Sequence, residues 1–136
     1  MKETEAAYFA GIIDGEGTIT LGHSRNCKYR IPTVSFPSTS EELMTYFRKI
    51  CGGTVVKKKT YKEHHLPSWE CRLRYNGAID FLREIIPYLK HSDKLYRAGM
   101  LVERYPEVTV RNGKYTPEQH QEKLKFENEF FHPSTS

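Results

Sequence analysis

Residues 8–17, with the sequence YFAGIIDGEG, constrain the fold of this chain more than any other stretch. Their first part predicts a helix, because apolar residues recur there at three- and four-residue steps and no proline interrupts them. These residues are Ala6, Phe9, Ala10 and Ile13. Gly15 and Gly17 then predict the end of the helix. Glu16 is therefore a carboxylate placed where a helix ends and a strand begins.

Two glycines four residues apart, Gly11 and Gly15, lie on one face of this predicted helix. Each costs the helix roughly 1 kcal/mol relative to alanine, which indicates that close packing is gained in return. One interpretation is an ordinary core helix that ends in a glycine cap. The other is a contact between helices of two copies of the chain, with Ala10 in the same patch of small residues.

Two acids, Asp14 and Glu16, stand at the carboxyl end of this helix, where the helix dipole disfavours carboxylates and a cation is needed. A calcium loop is excluded, because Ile19 stands where its turn glycine belongs and Arg25 where its bidentate glutamate belongs. A symmetric pair of such helices would bring two Glu16 side chains together. That arrangement suits divalent metals that bridge a phosphodiester.

The central part of the chain predicts strands rich in basic residues. Residues 17–75 hold 11 Lys and Arg against 4 Asp and Glu, whereas the remainder holds 10 against 13. This concentration of positive charge favours a polyanionic partner over a uniformly solvated surface. Strands are predicted at residues 18–21, 29–36 and 54–61, with Pro32 indicating an edge or a bulge. The fourth has the clearest alternation, and its predicted inward residues are Trp69, Cys71, Leu73 and Tyr75.

Helices are predicted between and after these strands. For the second, Ser38, Thr39 and Ser40 are candidate N-caps, with Thr39 and Glu42 in capping-box spacing. The third begins at Asn76 or Gly77 and is closed by Pro87, and the fourth is capped by Ser92 and ends before Pro106. A capping box with a proline at the first helical position, residues 116–119, predicts a last helix to about residue 130. The predicted class is α+β, in the order αββαββα with an extra carboxyl-terminal helix.

The run FAGIIDGEG at residues 9–17 resembles the signature of the LAGLIDADG homing endonucleases, with conservative replacements at four positions. Residues 38–43 are similar to the turn into the family's second helix, and residues 85–89 to the end of its third. The likeness covers about residues 5–105. It implies a four-stranded antiparallel DNA-binding sheet and a site-specific double-strand DNA endonuclease of the intron or intein homing type.

A single copy of the motif implies, by this resemblance, a homodimer whose two signature helices pack at a twofold axis. Such a dimer would cut a long pseudo-palindromic site. The residues expected at the dimer contact are Phe9, Ala10, Gly11, Ile12 and Gly15. One endonuclease domain is expected over residues 1–136, with a carboxyl-terminal helical extension from about residue 106.

The resemblance also implies roles for individual residues near the metal. Glu16 matches the essential metal-binding acid, Asp14 matches the first acid of the motif, and Gly15 is expected to bring a backbone carbonyl close to the metals. The expected cofactor is Mg²⁺, with Ca²⁺ or Mn²⁺ as substitutes in binding. Ser38 falls where relatives often carry a Gln or Asn that positions water.

The basic active-site residue of the family falls near Ser92. Lys94 is the preferred substitute and Lys90 the next, and a lysine there would stabilise the charge of the pentavalent phosphate. The alternative is an ordinary surface lysine. The outward face of the sheet is expected to contact phosphates and base edges. Its candidates are Thr18, Thr20, Ser24, Arg25, Lys28, Arg30, Thr33, Ser35, Lys57, Lys58, Lys59, Glu70, Arg72 and Arg74.

Other functions remain alternatives at this point: a maturase that binds intron RNA, a DNA-binding protein without cleavage, and a purely structural dimerising domain.

Three scattered cysteines without a CxxC pair indicate neither a disulfide framework nor a zinc site. The adjacent His64 and His65 indicate a solvated loop rather than a metal site. No signal peptide or membrane-spanning run is evident, so a cytoplasmic or organellar location is expected and secretion is not.

Overall fold

The computed structural model describes residues 1–58 and 66–133. Its first elements are α1 Glu3–Glu16, β1 Thr18–Gly22, β2 Ile31–Ser38, α2 Glu41–Cys51, β3 Thr54–Lys58, β4 Ser68–Arg74 and α3 Tyr75–Ile85. They are followed by a 3₁₀ turn Ile86–Tyr88, α4 Ser92–Gly99, a π-helical segment Met100–Arg104, α5 Tyr105–Val108 and α6 Pro117–Phe131. This order confirms the predicted αββαββα arrangement with a further carboxyl-terminal helix. The predicted end of the third strand, with Lys59, and the pair His64 and His65 lie outside the described residues.

The four strands form one antiparallel sheet in the order β1-β2-β4-β3. β2 is a central strand although it contains Pro32 and Pro37, and the register explains how it tolerates them. Pro32 pairs with Leu21 of β1, before the pairing with β4 begins at Thr33. Pro37 pairs with β4 beyond Ser35, where the pairing with β1 ends. At each proline, β2 is therefore paired with one neighbouring strand only. Proline is tolerated there as it is on an edge strand, because no second ladder requires its missing N–H.

One face of the sheet is covered by helices and forms the core. An aromatic cluster centred on Phe47 of α2 joins four elements, because its ring centroid lies 4.9 Å from Phe9 of α1, 4.7 Å from Phe36 of β2 and 5.4 Å from Phe81 of α3. All three pairs are edge-to-face, the arrangement that aromatic rings favour. Phe126 and Phe130 of α6 belong to the same core. The carboxyl-terminal helix thus packs on the sheet-and-helix layers.

The helix boundaries follow from caps, and one cap differs from the prediction. Ser40 begins α2, because its hydroxyl accepts the Leu43 N–H at 3.1 Å. The predicted capping box of Thr39 and Glu42 is therefore wrong by one position. The box that begins α6 is confirmed: Thr116 Oγ1 accepts the Gln119 N–H at 3.2 Å, and the Gln119 side chain accepts the Thr116 N–H at 2.9 Å.

Tyr75 does not continue the inward-facing side of β4 as its alternation predicts. It is the first residue of α3, has φ 56° and is 45% exposed. Its left-handed backbone turns the chain from strand to helix, and this turn breaks the two-residue period. Cys71 and Leu73 are buried as predicted, and Trp69 packs partly buried against the core.

The helical run after residue 92 does not end before Pro106 as its sequence predicts. His91 is the N-cap, so Ser92 is already helical, and the run continues through the π-helical segment into α5. The N–H of Tyr105 reaches back five residues to the carbonyl of Met100. This wider turn directly precedes Pro106, which has no N–H to donate. Among residues 1–58 and 66–133, no helix is both long enough and apolar enough to span a bilayer.

Candidate functional site

Glu16 is the last residue of α1, and its side chain is exposed. Gly17 caps the helix by donating its N–H to the carbonyl of Ile13 at 2.9 Å. A Cβ on Gly17 would lie 2.7 Å from the Cα of Ile13, a distance that no side chain tolerates. The sequence therefore needs glycine immediately after Glu16 to turn the chain from α1 into β1 without moving the acid.

Asp14 joins the end of α1 to the beginning of α4. Its two carboxylate oxygens accept the backbone N–H groups of Lys90 at 2.9 Å and His91 at 3.1 Å. A carboxylate is favoured there because the amino end of a helix is electropositive. Both oxygens thus accept a hydrogen bond from the start of α4, and the expected part of Asp14 in metal binding stays a prediction. Lys90 contributes its backbone amide to this contact, and its side chain is exposed.

Lys94 makes the reverse contact, from α4 to the end of α1. Its Nζ donates to the carbonyls of Ile13 and Asp14, each at 2.8 Å. α1 has no basic residue in its own last turn, so Lys94 supplies the cation that the electronegative helix end needs. The predicted contact of Lys94 with phosphate remains a prediction, since its ammonium is held by two carbonyl oxygens here.

Arg97 is a residue of this junction that the sequence analysis missed. Its Nη1 donates to the carbonyl of Ile19 in β1 at 2.9 Å, and its guanidinium lies 5.1 Å from the ring centroid of Phe130. No local sequence pattern predicts this contact, because the partner residues are distant in the chain, in β1 and α6. A groove beside Thr18 runs between α4 and the end of α6, and Arg97, Lys94, His91 and Asp93 line its polar part.

Ser38 is the last residue of β2 and pairs with Trp69. Its hydroxyl accepts the N–H of Ser40 at 3.0 Å, so it shapes the turn into α2. The expectation that it positions water stays a prediction.

The oxygen chemistry at the end of α1 fits a divalent cation only in part. Glu16 accepts no hydrogen bond from the described part of the chain, so its carboxylate is available as a ligand. Within residues 1–58 and 66–133, however, no group of three or more His, Cys, Asp or Glu could hold a metal. Carboxylate and phosphate oxygens are the ligands that Mg²⁺ and Ca²⁺ prefer.

The open face of the sheet carries polar side chains in rows that cross the strands. Thr20, Thr33 and Arg74 form one row, because they pair directly across β1, β2 and β4. The next row holds Thr18, Ser35, Arg72 and Thr54. Glu70 and Lys58 belong to the same face by alternation. The structure thus brings together the outward residues that the strand patterns predict.

Two candidates for the open face are excluded from it. Lys57 pairs with Trp69 on the helix-covered side of the sheet and lines a groove with Glu41 and Arg48 of α2. Arg30 contacts α6 instead, since its guanidinium lies 4.9 Å from the ring centroid of Phe131. Both expectations failed because the sequence of a short strand or an irregular loop does not determine which side chains face the open side of the sheet. Ser24, Arg25 and Lys28 lie in that β1–β2 loop.

The exposed face of α1 carries the two glycines. Gly11 and Gly15 are exposed, and a Cβ built on either meets nothing within 4 Å in this chain. Phe9 and Ala10, in contrast, are fully buried in the core. Their predicted part in a dimer contact is therefore wrong, because their side chains point away from the glycine face. Ile12 is half-buried.

Comparison with solved structures decides the fold. The homing endonuclease I-CvuI, solved with its target in the presence of Ca, is 20% identical with a TM-score of 0.53, over 90% of this chain and 94% of that one. The archaeal intron-encoded homing endonuclease I-Vdi141I, complexed with DNA, is 14% identical with a TM-score of 0.62, over 100% and 87%. The LAGLIDADG homing endonuclease I-GzeII, in complex with a DNA target, is 14% identical with a TM-score of 0.64.

The chain has the LAGLIDADG homing endonuclease fold. The match to I-GzeII covers 94% of this chain but 44% of that one, so this chain has less than half the length of I-GzeII. No protein-family model and no curated protein matches the sequence. Within the LAGLIDADG fold, the end of α1 and the open sheet face are the two surfaces that the sequence analysis singled out.

Proposed function

We propose that this chain is a site-specific double-strand DNA endonuclease that acts as a homodimer. The observation that carries the proposal is the placement of Glu16: an exposed carboxylate at the end of α1, fixed by contacts of Asp14 and Lys94, beside a sheet face rich in basic and hydroxyl groups. The solved neighbours I-CvuI and I-Vdi141I are homing endonucleases bound to DNA, which supports the same substrate class.

The homodimer is proposed from the glycine face of α1. Gly11 and Gly15 leave this face flat, and a flat helix face allows a second helix to approach closely. Symmetric packing of α1 against its copy would bring the two Glu16 carboxylates together. This chain has less than half the length of I-GzeII, so a pair of chains would approach the size of that protein. The twofold axis predicts a pseudo-palindromic target.

Each Glu16 would hold a divalent ion, Mg²⁺ in the first place, together with substrate oxygens. Such an ion, when bound, polarises the phosphate and makes water a stronger nucleophile at neutral pH. The chain's own residues orient the acid: Gly17 allows the turn that follows it, Asp14 holds α4, and Lys94 holds the last turn of α1. The backbone of Gly15 lies next to the acid in the chain and is the further ligand we propose.

The open face of the sheet would lie along the major groove. A two-stranded or wider antiparallel ribbon fits that groove, and cationic side chains there release counterions from DNA. We therefore expect binding to weaken steeply as salt concentration rises. The proposed contacts are Thr18, Thr20, Thr33, Ser35, Lys58, Arg72 and Arg74, with Ser24, Arg25 and Lys28 from the β1–β2 loop.

Selection of cleaved sites from a randomised DNA pool in Mg²⁺ tests activity and target together. The wild-type chain should enrich one long pseudo-palindromic site. Glu16→Gln should abolish cleavage and leave affinity for that site nearly unchanged, because it removes one charge and no side-chain hydrogen bond. Glu122→Gln, an exposed acid of α6, is the control with the same change in charge. Normal cleavage by the Glu16→Gln variant would refute the assignment.

One observation favours a second candidate, a sequence-specific DNA-binding protein that does not cut. Lys94, the preferred basic active-site residue, is held by the carbonyls of Ile13 and Asp14, and serines occupy positions 38 and 92. In that case the wild-type chain would select one DNA sequence by binding and produce no breaks in Mg²⁺ or Mn²⁺. Preferential binding of intron RNA over an intron-less DNA target would instead indicate the maturase alternative.

A further inference from the structure

An acid stands on the otherwise basic and neutral open face of the sheet. Glu70 lies in β4, and among the described outward positions of the four strands it is the one carboxylate. Its Oε2 accepts a hydrogen bond from Nη2 of Arg72 at 2.9 Å. The two residues are two positions apart and therefore share this face. A surface built only to attract phosphate would not place a negative charge here.

The two residues paired directly with Glu70 are apolar. Across β2 it faces Pro37, and across β3 it faces Val56. Neither side chain donates a hydrogen bond, and Val56 is an exposed apolar group. Glu70 therefore has apolar residues directly opposite it on both neighbouring strands, whereas Arg72 is paired with Ser35 and Thr54.

Glu70 is ionised at neutral pH. Partial burial raises the pKa of its carboxyl, but the hydrogen bond and charge of Arg72, with the charge of Lys58, outweigh this and hold the pKa below its ordinary value. An ionised carboxylate repels phosphate and accepts hydrogen bonds from amino groups. The side chains remain reachable, with 21% of Glu70 and 38% of Arg72 exposed.

Arg72 keeps donors for a ligand while it is bound to Glu70. A guanidinium carries five N–H donors in a fixed plane, and the contact with Glu70 uses one arm. Glu70 thereby restricts the orientation of the guanidinium. An exposed ion pair of this kind contributes little to stability, so sheet stability alone does not account for it.

We propose that Glu70 and Arg72 together read one G·C base pair in the major groove. Arg72 donates to O6 and N7 of guanine, and Glu70 accepts from the N4 amino group of cytosine. This edge pattern distinguishes G·C from the other base pairs. The inference rests on the proposed DNA-binding function and adds to it a base preference assigned to two residues.

The test uses two variants in the full chain. Glu70→Gln removes the charge, and the exchange variant, Glu70→Arg with Arg72→Glu, keeps an ion pair and the net charge. Sites bound from a randomised DNA pool are sequenced for wild type and both variants, and thermal unfolding is measured for each. Both variants should relax or change the base preference at one position in each half-site, by roughly tenfold, as loss of one bidentate contact predicts.

Unchanged preference at every position in a folded variant would overturn the proposal, as would an equal change in affinity for all sequences. The latter would show a contact with phosphate or a general charge effect. If the exchange variant unfolds, Glu70→Gln still decides the question, because it replaces one partly exposed side chain by another of the same shape. A wild-type chain that selects no sequence would refute the proposed function itself, and that outcome is distinguishable from a failure of this inference alone.

Discussion

The ammonium of Lys94 donates a hydrogen bond to the backbone carbonyl of Asp14 at 2.8 Å, two residues before Glu16. The carboxylate of Asp14 in turn accepts the N–H groups at the start of α4. Each helix thus caps the other with a side chain of the charge that its end requires. This reciprocal capping fixes the backbone that carries Glu16 without using Glu16 itself.

Replacing Lys94 should therefore destabilise the fold as well as reduce activity. Lys94→Met removes two hydrogen bonds to carbonyls and the only cation that contacts this helix end in the described structure. We expect the free energy of unfolding to fall by about 1–2 kcal/mol, measured by chemical denaturation. Lys125→Met, at an exposed position of α6, is the control and should have little effect.

The same variant separates positioning from direct action on phosphate. If Lys94 positions the end of α1, Lys94→Arg should recover part of both stability and cleavage, because it retains a donor and a charge. If Lys94 acts only on phosphate, Lys94→Met would lower the cleavage rate and leave the unfolding free energy at the wild-type value. That second result would contradict the capping role.

Gly11 and Gly15 allow a test of the proposed dimer that is independent of catalysis. Since an added Cβ meets nothing within the chain, alanine at either position should stabilise the monomer by up to roughly 1 kcal/mol. The same methyl group should hinder close approach of a second α1. We expect weaker self-association by sedimentation, together with higher stability at concentrations where the chain is monomeric.

Gly99→Ala provides the matched control for this prediction. Gly99 is also helical with open space around its Cα, but it lies in α4. Its replacement should stabilise the helix and leave self-association unchanged. Undiminished association of the Gly11→Ala and Gly15→Ala variants would exclude this face as the interface.

Local patterns predicted much of this fold. The four buried residues of α1, the alternation of β1 and β4, and the capping box at Thr116 were all readable, because each depends on neighbours within about four residues. The errors arose where short segments lack such patterns. The face on which Lys57 lies depends on the register of β3. Tyr75 adopts a left-handed φ that is uncommon for its residue type, so the sequence does not predict it.

The sequence predicted Glu16 as the candidate metal-binding acid, but it did not predict the contacts that hold the end of α1 in place. Glu16 was identified from the motif, since a carboxylate between two glycines at a helix end has no simple structural reason. The partners of Asp14 and Lys94 lie about 80 residues away in the chain, at Lys90, His91 and Ile13. Arg97 was missed for the same reason. Contacts of this range are created by packing, and no periodicity encodes them.

Gly17 should be the least replaceable glycine of the motif. In Gly17→Ala the new Cβ would meet the Cα of Ile13 at 2.7 Å, so the end of α1 or the start of β1 must shift. Overpacking of this kind costs about 1–3 kcal/mol. The midpoint of thermal unfolding should therefore fall, whereas Gly15→Ala two residues earlier should raise it. A Gly17→Ala variant as stable as wild type would show that this turn is not tightly packed.

Because Lys123 of α6 is buried, we expect its contribution to the free energy of unfolding to increase with pH above about pH 8. Its side chain is 1% exposed, its Nζ donates to Thr109 Oγ1 at 2.6 Å, and it lies 4.1 Å from the ring centroid of Tyr105. Burial lowers its pKa to about 8, although the charge of Glu127 opposes this. The folded chain therefore binds fewer protons than the unfolded chain between pH 8 and the ordinary lysine pKa. Stability from this group must rise with pH across that interval.

Lys123→Met, which fills the same space without a charge, isolates this effect. Below pH 8 the variant avoids the cost of burying an ammonium, on the order of 3 kcal/mol, but loses the hydrogen bond and the cation–π contact. Its unfolding free energy relative to wild type should be highest near pH 7 and should decline as pH rises from 8 to 10. The difference between the two chains is the quantity to measure, because Cys51, Cys71 and Tyr105, whose pKa values are raised, titrate in both. A difference that stays constant with pH would show that Lys123 is charged in the folded chain throughout.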